Sequence, residues 1–87
     1  MVQEYKIKEF VFRIEKTGRD VNGNPTYIIH NSELLSFKTG LSFNKVLKIA
    51  NSLGFRKVKN QNKLSVKSHN IRHDLTQLVK EIKKDKR

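Results

Sequence analysis

The sequence predicts an α+β fold, a small antiparallel sheet with two helices in the order ββαββα, built as one domain over residues 1–87. Two kinds of apolar periodicity and the turn residues between them carry that expectation. Alternation by two marks strands near Tyr5–Ile14 and Thr26–His30. Spacings of three and four mark helices near Ser42–Leu53 and in the C-terminal quarter.

In the first strand, Tyr5 and Ile7 point inward on odd positions, whereas Phe10, Phe12 and Ile14 do so on even ones. A one-residue slip turns every later side chain to the wrong face, so a bulge at Lys8-Glu9 is the economical repair. Lys16 to Pro25 reads as a turn region, with Gly18 and Asn22-Gly23 able to take positive φ. A two-residue loop on Asn22-Gly23 would set Ile14 against Asn31 and Thr17 against Ile28. Those pairs do not match apolar with apolar, so a wider loop is expected. Pro25 opens the second strand, and Asn31 or Ser32 ends it, capping a short turn through Leu34 and Leu35.

Phe43, Val46, Leu47, Ala50 and Leu53 form one helical stripe, and Gly54 stands where a C′ glycine belongs. A second hairpin follows: Phe55–Lys59, a turn on Asn60-Gln61-Asn62, and Lys63–Lys67. Val58, Leu64 and Val66 are assigned to its inner face; Lys57, Lys59, Lys63, Ser65 and Lys67 are assigned outward. The last helix starts at Ser68 or Asn70 and runs to about Lys84, burying Ile71, Leu75, Leu78, Val79 and Ile82.

Composition narrows the class. Apolar residues make up 36% of the chain and charged ones 31%, which suits a folded globule rather than a disordered tail. Uninterrupted apolar stretches such as Tyr27-Ile28-Ile29 are far too short to span a bilayer, and Met1–Lys6 lacks the apolar run of a signal peptide. With no cysteine there is no disulfide framework and no thiolate metal site. A cytoplasmic protein held together by packing is expected, without membrane contact.

Charge distribution is the strongest functional signal. The formal net charge is +11, yet residues 1–33 are neutral, while residues 34–73 carry nine Lys/Arg and no acid. An A/T-rich genome would raise the lysine and asparagine counts, but it would raise glutamate as well, and none occurs between Glu33 and Glu81. Uncompensated like charge destabilises a compact state, so the basic block reads as functional.

The expected function is therefore that of a small basic nucleic-acid-binding accessory or regulatory protein, DNA slightly ahead of RNA. It would contact phosphates through the 55–67 hairpin and the 42–53 helix. The candidate contacts are Lys45, Lys48, Arg56, Lys57, Lys59, Lys63, Lys67 and Arg72, with Asn60, Gln61 and Asn62 at the hairpin tip. Lysine and arginine neutralise phosphate without reading sequence, whereas Asn and Gln amides can read adenine edges.

Other chemistries find less support. Ala50-x-x-x-Gly54 has helix-turn-helix spacing, but Arg56–Lys63 lacks the apolar period a recognition helix needs to dock. His69 and His73 stand at i and i+4 without a third ligand, so no metal is expected. No Gly-rich phosphate loop, H-E-x-x-H or G-x-S-x-G is present, so neither an enzyme nor a cofactor is expected. His30 falls near Glu15 in some registers as a boundary residue. The tail Lys83–Arg87 suits a helix C-terminus and is read as a solvated end. The alternative function is a small regulator or inhibitor of the phage or mobile-element type, acting on an acidic or nucleic-acid-binding host protein. Homodimerisation is compatible with both readings, and an exposed apolar patch would favour the protein-directed one.

Overall fold

A computed structural model describes residues 2–85. Its elements are β1 (Val2–Ile7), β2 (Phe10–Arg19), β3 (Pro25–Ile29), α1 (Glu33–Thr39), α2 (Phe43–Ser52), β4 (Arg56–Lys57), β5 (Leu64–Lys67) and α3 (Ile71–Asp85). The α+β class holds, but the expected order ββαββα does not: the described residues run βββααββα, with five strands and three helices. All five strands pair antiparallel in one sheet of order β1-β2-β3-β5-β4. After β3 the chain crosses both short helices, forms the outer edge as β4, and returns between β4 and β3.

The extra strand comes from the segment read as one bulged strand. Lys8 and Glu9 are a two-residue hairpin turn, with Lys8 at φ 56, and Ile7 pairs directly with Phe10. Residues flanking such a turn face each other across the ladder and lie on one side of the sheet. Both are buried, at 6% and 0% exposure, so the odd-to-even phase change is real and the bulge is not. Neither Lys nor Glu is a hairpin-turn residue, which hid the turn.

The extra helix, α1, replaces the short turn expected at Leu34-Leu35. Leu35 and Thr39, four apart, are its buried residues. Seven residues span only two turns, too few for a helical period to stand out in the sequence.

Elsewhere the pattern holds. Ser42 caps α2 by accepting from the Lys45 N–H at 3.2 Å, and Gly54, at φ 96, follows the Leu53 C-cap in a left-handed conformation. In α2, Val46 and Ala50 are fully buried, while Phe43, Leu47 and Leu53 are half-buried. The Asn70 side chain accepts from the His73 N–H at 3.1 Å and opens α3, whose stripe Ile71, Leu75, Leu78, Val79 and Ile82 is buried. β2 and β3 join through a five-residue loop, Asp20–Asn24, wider than a tight turn, and a bulge between Lys16 and Gly18 restores Ile14 to Ile29. β2 itself extends through Arg19, into what reads as a turn in the sequence.

All helices cover one face of the sheet. That face supplies Ile7, Phe10, Phe12, Ile14, Ile29, Leu64 and Val66 to a core shared with Leu35, Val46, Ala50, Phe55 and the α3 stripe. Two polar clasps fix its end. The Asn31 amide reaches β2 like a strand residue, donating to Val11 O at 2.8 Å and accepting from Arg13 N at 2.9 Å. Ser32, fully buried, donates to Ile29 O at 2.7 Å and accepts from Leu64 N at 2.9 Å, tying β3 to β5. Ser32→Ala orphans both groups in a dry site, for an expected loss of about 1–3 kcal/mol, measurable by urea unfolding. A loss near zero would show that Leu64 N finds another partner.

The Asp20 carboxylate organises the loop after β2, accepting from Asn24 N at 2.8 Å and Asn22 N at 2.9 Å. The Asn24 backbone bond, the Asn22 bond and the nearby Lys67 charge lower its pKa below the ordinary aspartate value. A depressed folded-state pKa stabilises above the unfolded pKa and is lost as pH falls through the folded value. Acidification through the carboxylate range should therefore lower the thermal midpoint less in Asp20→Asn than in the parent chain. Parallel acid profiles would contradict this role.

Candidate functional site

The sheet face opposite the helices is open. Alternation along β1, β2, β3, β5 and β4 places Glu4, Lys6, Arg13, Glu15, Ile28, Lys63, Ser65, Lys67 and Arg56 on it. Across its centre, Glu15, Ile28, Ser65 and Arg56 follow one another on successive strands. One step toward the β2–β3 loop, Thr26 faces Lys67.

These two rows enclose a depression of about 650 Å³. Its floor includes the half-buried Ile28 and Val58, and its walls carry the hydroxyls of Thr17, Thr26 and Ser65. Arg56 and Lys67 line it as cations. The hydroxyls are pre-ordered: Thr17 and Thr26 Oγ1 lie 2.9 Å apart, and Ser65 Oγ donates to Arg56 O at 3.3 Å. Arg56 is held by bonds to Asn51 O at 3.2 Å and Phe55 O at 2.9 Å. Lys67 Nζ stands 3.8 Å from Asp20 Oδ2 and stays exposed.

Beside the depression, His30 bridges two strands. Its Nε2 is 2.7 Å from Glu15 Oε1, and its Nδ1 is 3.1 Å from Lys63 Nζ. The Glu15 proximity anticipated for His30 is thus present. A neutral ring donating from Nε2 to the carboxylate and accepting from Lys63 at Nδ1 satisfies both contacts.

The sequence-predicted contacts do not form one ribbon. Arg56, Lys63 and Lys67 lie on the open face. Lys57 pairs with Leu64 and therefore shares the helix-side face, at the sheet edge. The arm expected over Phe55–Lys59 is only Arg56–Lys57 as strand, and Phe55 itself is core. Val58, assigned to the inner face, lines the open-face depression instead. Lys59, Asn60, Gln61 and Asn62 form the exposed tip, with Asn60 at φ 62 and the Asn62 amide 3.4 Å from Glu33 Oε2.

Lys45 and Lys48 are exposed on α2, in the helical layer, and Lys45 Nζ lies 3.4 Å from Asp85 Oδ2. Arg72 is at the opposite sheet edge, 5.3 Å over the Tyr5 ring and bonded to Lys6 O at 3.4 Å. Four strand spacings separate that edge from β4, roughly 19 Å.

The fold also returns acids to the acid-free block. Asp20 reaches Lys67 and Asp85 reaches Lys45, while Glu9 binds Lys83 at 2.9 Å, a bond that lowers the Glu9 pKa. Lys86 and Arg87 of the basic tail, like Met1, lie outside the described residues. Among the described residues no helix is long and apolar enough to cross a membrane.

Sequence reasoning missed Thr17, Thr26, Ile28 and Ser65 as site residues. A row of β-branched and hydroxyl side chains on the outward phase of β3 and β5 was the available signal. It also missed Phe37, 92% exposed on α1, beside half-buried Leu34 and Phe43.

No curated protein and no solved structure matches the chain. Residues 2–87 match the family described as Staphylococcus phage terminal repeat-encoded protein TreK, and the chain belongs to that phage family.

Proposed function

We propose that this phage protein is a binding accessory factor that holds nucleic acid on the open face of its sheet. The observation that carries the reading is the depression floored by Ile28 and Val58 and lined by three hydroxyls and two cations. Arg56 and Lys67 suit phosphate; Thr17, Thr26 and Ser65 suit phosphate or sugar oxygens; the apolar floor suits the face of a base. A concavity offering both is matched to an unpaired nucleotide, because a duplex keeps its bases stacked inside. The single strand is therefore the proposed ligand form, and the open face its seat, since the hairpin cations divide between two faces.

Binding rather than catalysis is proposed because His30, the histidine on this face, has both ring nitrogens engaged, by Glu15 and Lys63. A site of action in the cytoplasm of the infected cell accords with the phage family and a nucleic-acid target. The test is a titration of labelled single-stranded DNA and RNA oligomers, and of duplex, at low salt, with amide shifts followed by NMR. The reading expects single strands to bind more tightly and to shift Thr17, Thr26, Ile28 and Ser65. Failure of every nucleic acid to bind, or shifts confined to α2 and α3, would sink it.

A further inference from the structure

Beside the depression, the open face carries a second row of cations. His30 N donates to Arg13 O at 2.8 Å, and His30 Nδ1 lies 3.1 Å from Lys63 Nζ. Arg13, His30 and Lys63 thus follow one another across neighbouring segments of the sheet. Lys63 stands four residues before Lys67, roughly 13 Å at the rise of a strand. A polyanion lying along β5 over the depression meets this row next.

The hydrogen bonds of the row do not all survive a proton. A lysine ammonium has three donors and no acceptor, so Nδ1 offers it a lone pair and the ring is neutral. The single ring N–H is then on Nε2 and donates to Glu15 Oε1 at 2.7 Å. A proton added from solvent at Nδ1 turns that atom into a donor. The Lys63 bond breaks and two cations face each other, which drives Lys63 outward. The contact with Glu15 becomes an ion pair and holds the ring in place. The charged groups around the ring are Glu15 and Arg13 of β2 and Lys63 ahead of β5. Glu4 of β1 pairs with Arg13, and Glu33 of α1 accepts from the Asn62 amide next to Lys63.

We infer that Arg13 and Lys63 form a second phosphate subsite on the open face, and that His30 ties its occupation to uptake of a proton. The inference rests on the open-face reading and adds its regulation. A phosphate that draws Lys63 off the ring leaves Nδ1 free to take a proton. A proton on Nδ1, in turn, releases Lys63 to phosphate. Such coupling is reciprocal. The complex then holds more protons than the free chain, so affinity rises as pH falls. Histidine is the side chain whose charge changes between about pH 5 and 8, which sets the range over which the subsite responds.

The test is a titration of a labelled single-stranded DNA oligomer at one salt concentration, at about pH 8 and about pH 5.5. The parent chain should bind roughly fivefold to tenfold tighter at the lower pH, the low end of coupling between two sites. Calorimetry in buffers of different ionisation enthalpy should show proton uptake on binding. His30→Gln keeps an amide donor for Glu15 but loses the titrating nitrogen, so most of the pH response should vanish. His73→Gln, exposed on the first turn of α3, is the control and should keep it. Imidazole nitrogen shifts of the free parent chain need neither variant nor ligand, and should show a lone pair on Nδ1 at about pH 8. A ring with both nitrogens protonated there would overturn the proposal. So would a parent whose pH response equals that of His30→Gln. Single strands that bind the open face without a pH response would sink this subsite and leave the open-face reading standing. Failure of single strands to bind at either pH would sink both.

Discussion

Leu78→Ala lowers the stability of the fold by roughly 2–5 kcal/mol, the range for removing a buried leucine side chain from a packed core. Leu78 is fully buried in the middle of α3, which packs on β1 and α2. The loss has a transfer component and a cavity component. The second is large where the neighbours are themselves pinned, and here Leu75, Val79 and Ile82 share the helix, and the same core holds Phe10 and Phe12, stacked on each other at 6.0 Å. A small domain has about 5–15 kcal/mol in total, so this single change approaches the unfolding threshold at physiological temperature. Urea unfolding at constant m-value is the measurement. A change below about 0.5 kcal/mol would place Leu78 outside the core, in conflict with its burial.

The parts of the fold legible in the sequence are those where one local rule acts alone. α2 and α3 each carry an apolar stripe, a capping side chain and enough length for the period to show. The Asp20–Asn24 loop was legible through register, because only a wide connection pairs Ile14 with Ile29. The first hairpin was half legible. The phase change between Ile7 and Phe10 was plain, but Lys8-Glu9 lacks turn chemistry, so a bulge and a hairpin were equally able to produce it. α1 was invisible because two turns of helix between two polar stretches leave no period. The candidate site was legible as charge and illegible as geometry. Asp20 meets Lys67, and Asp85 meets Lys45, only after folding, so a block without acids in sequence is partly compensated in space. Likewise Thr17 joins Thr26 only because a bulge between Lys16 and Gly18 shifts the register. Phe37 shows the reverse limit. An apolar residue in a short helix reads as core, and only the folded chain reveals that it faces water.

Changing Arg56, Lys63 and Lys67 together to Gln should reduce the salt dependence of nucleic-acid binding more than any other three cations. These three lie on one face, beside the depression, whereas Lys57 stands on the helix side, Lys45 on α2, and Arg72 at the far edge. Each cation that reaches a phosphate releases condensed counterions, and the slope of log affinity against log salt changes by about 0.7 per contact on a single strand and 0.9 on a duplex. Loss of all three therefore flattens the slope by about 2 on single strands, with all sequences weakened alike. The control changes Lys80 and Lys84 on α3 to Gln, removing like charges from the opposite layer, and should leave the slope nearly unchanged. Ile28→Ala separates the floor from the rim. It removes no charge, so the slope stays, while affinity drops if a base lies against the side chain. A control pair that flattens the slope as much per charge as the open-face triple would mean that the net charge attracts nucleic acid diffusely. In that event the depression is not where the strand lies. If the triple leaves the slope intact while Lys45 and Lys48 changes flatten it, the strand runs over the helical layer instead.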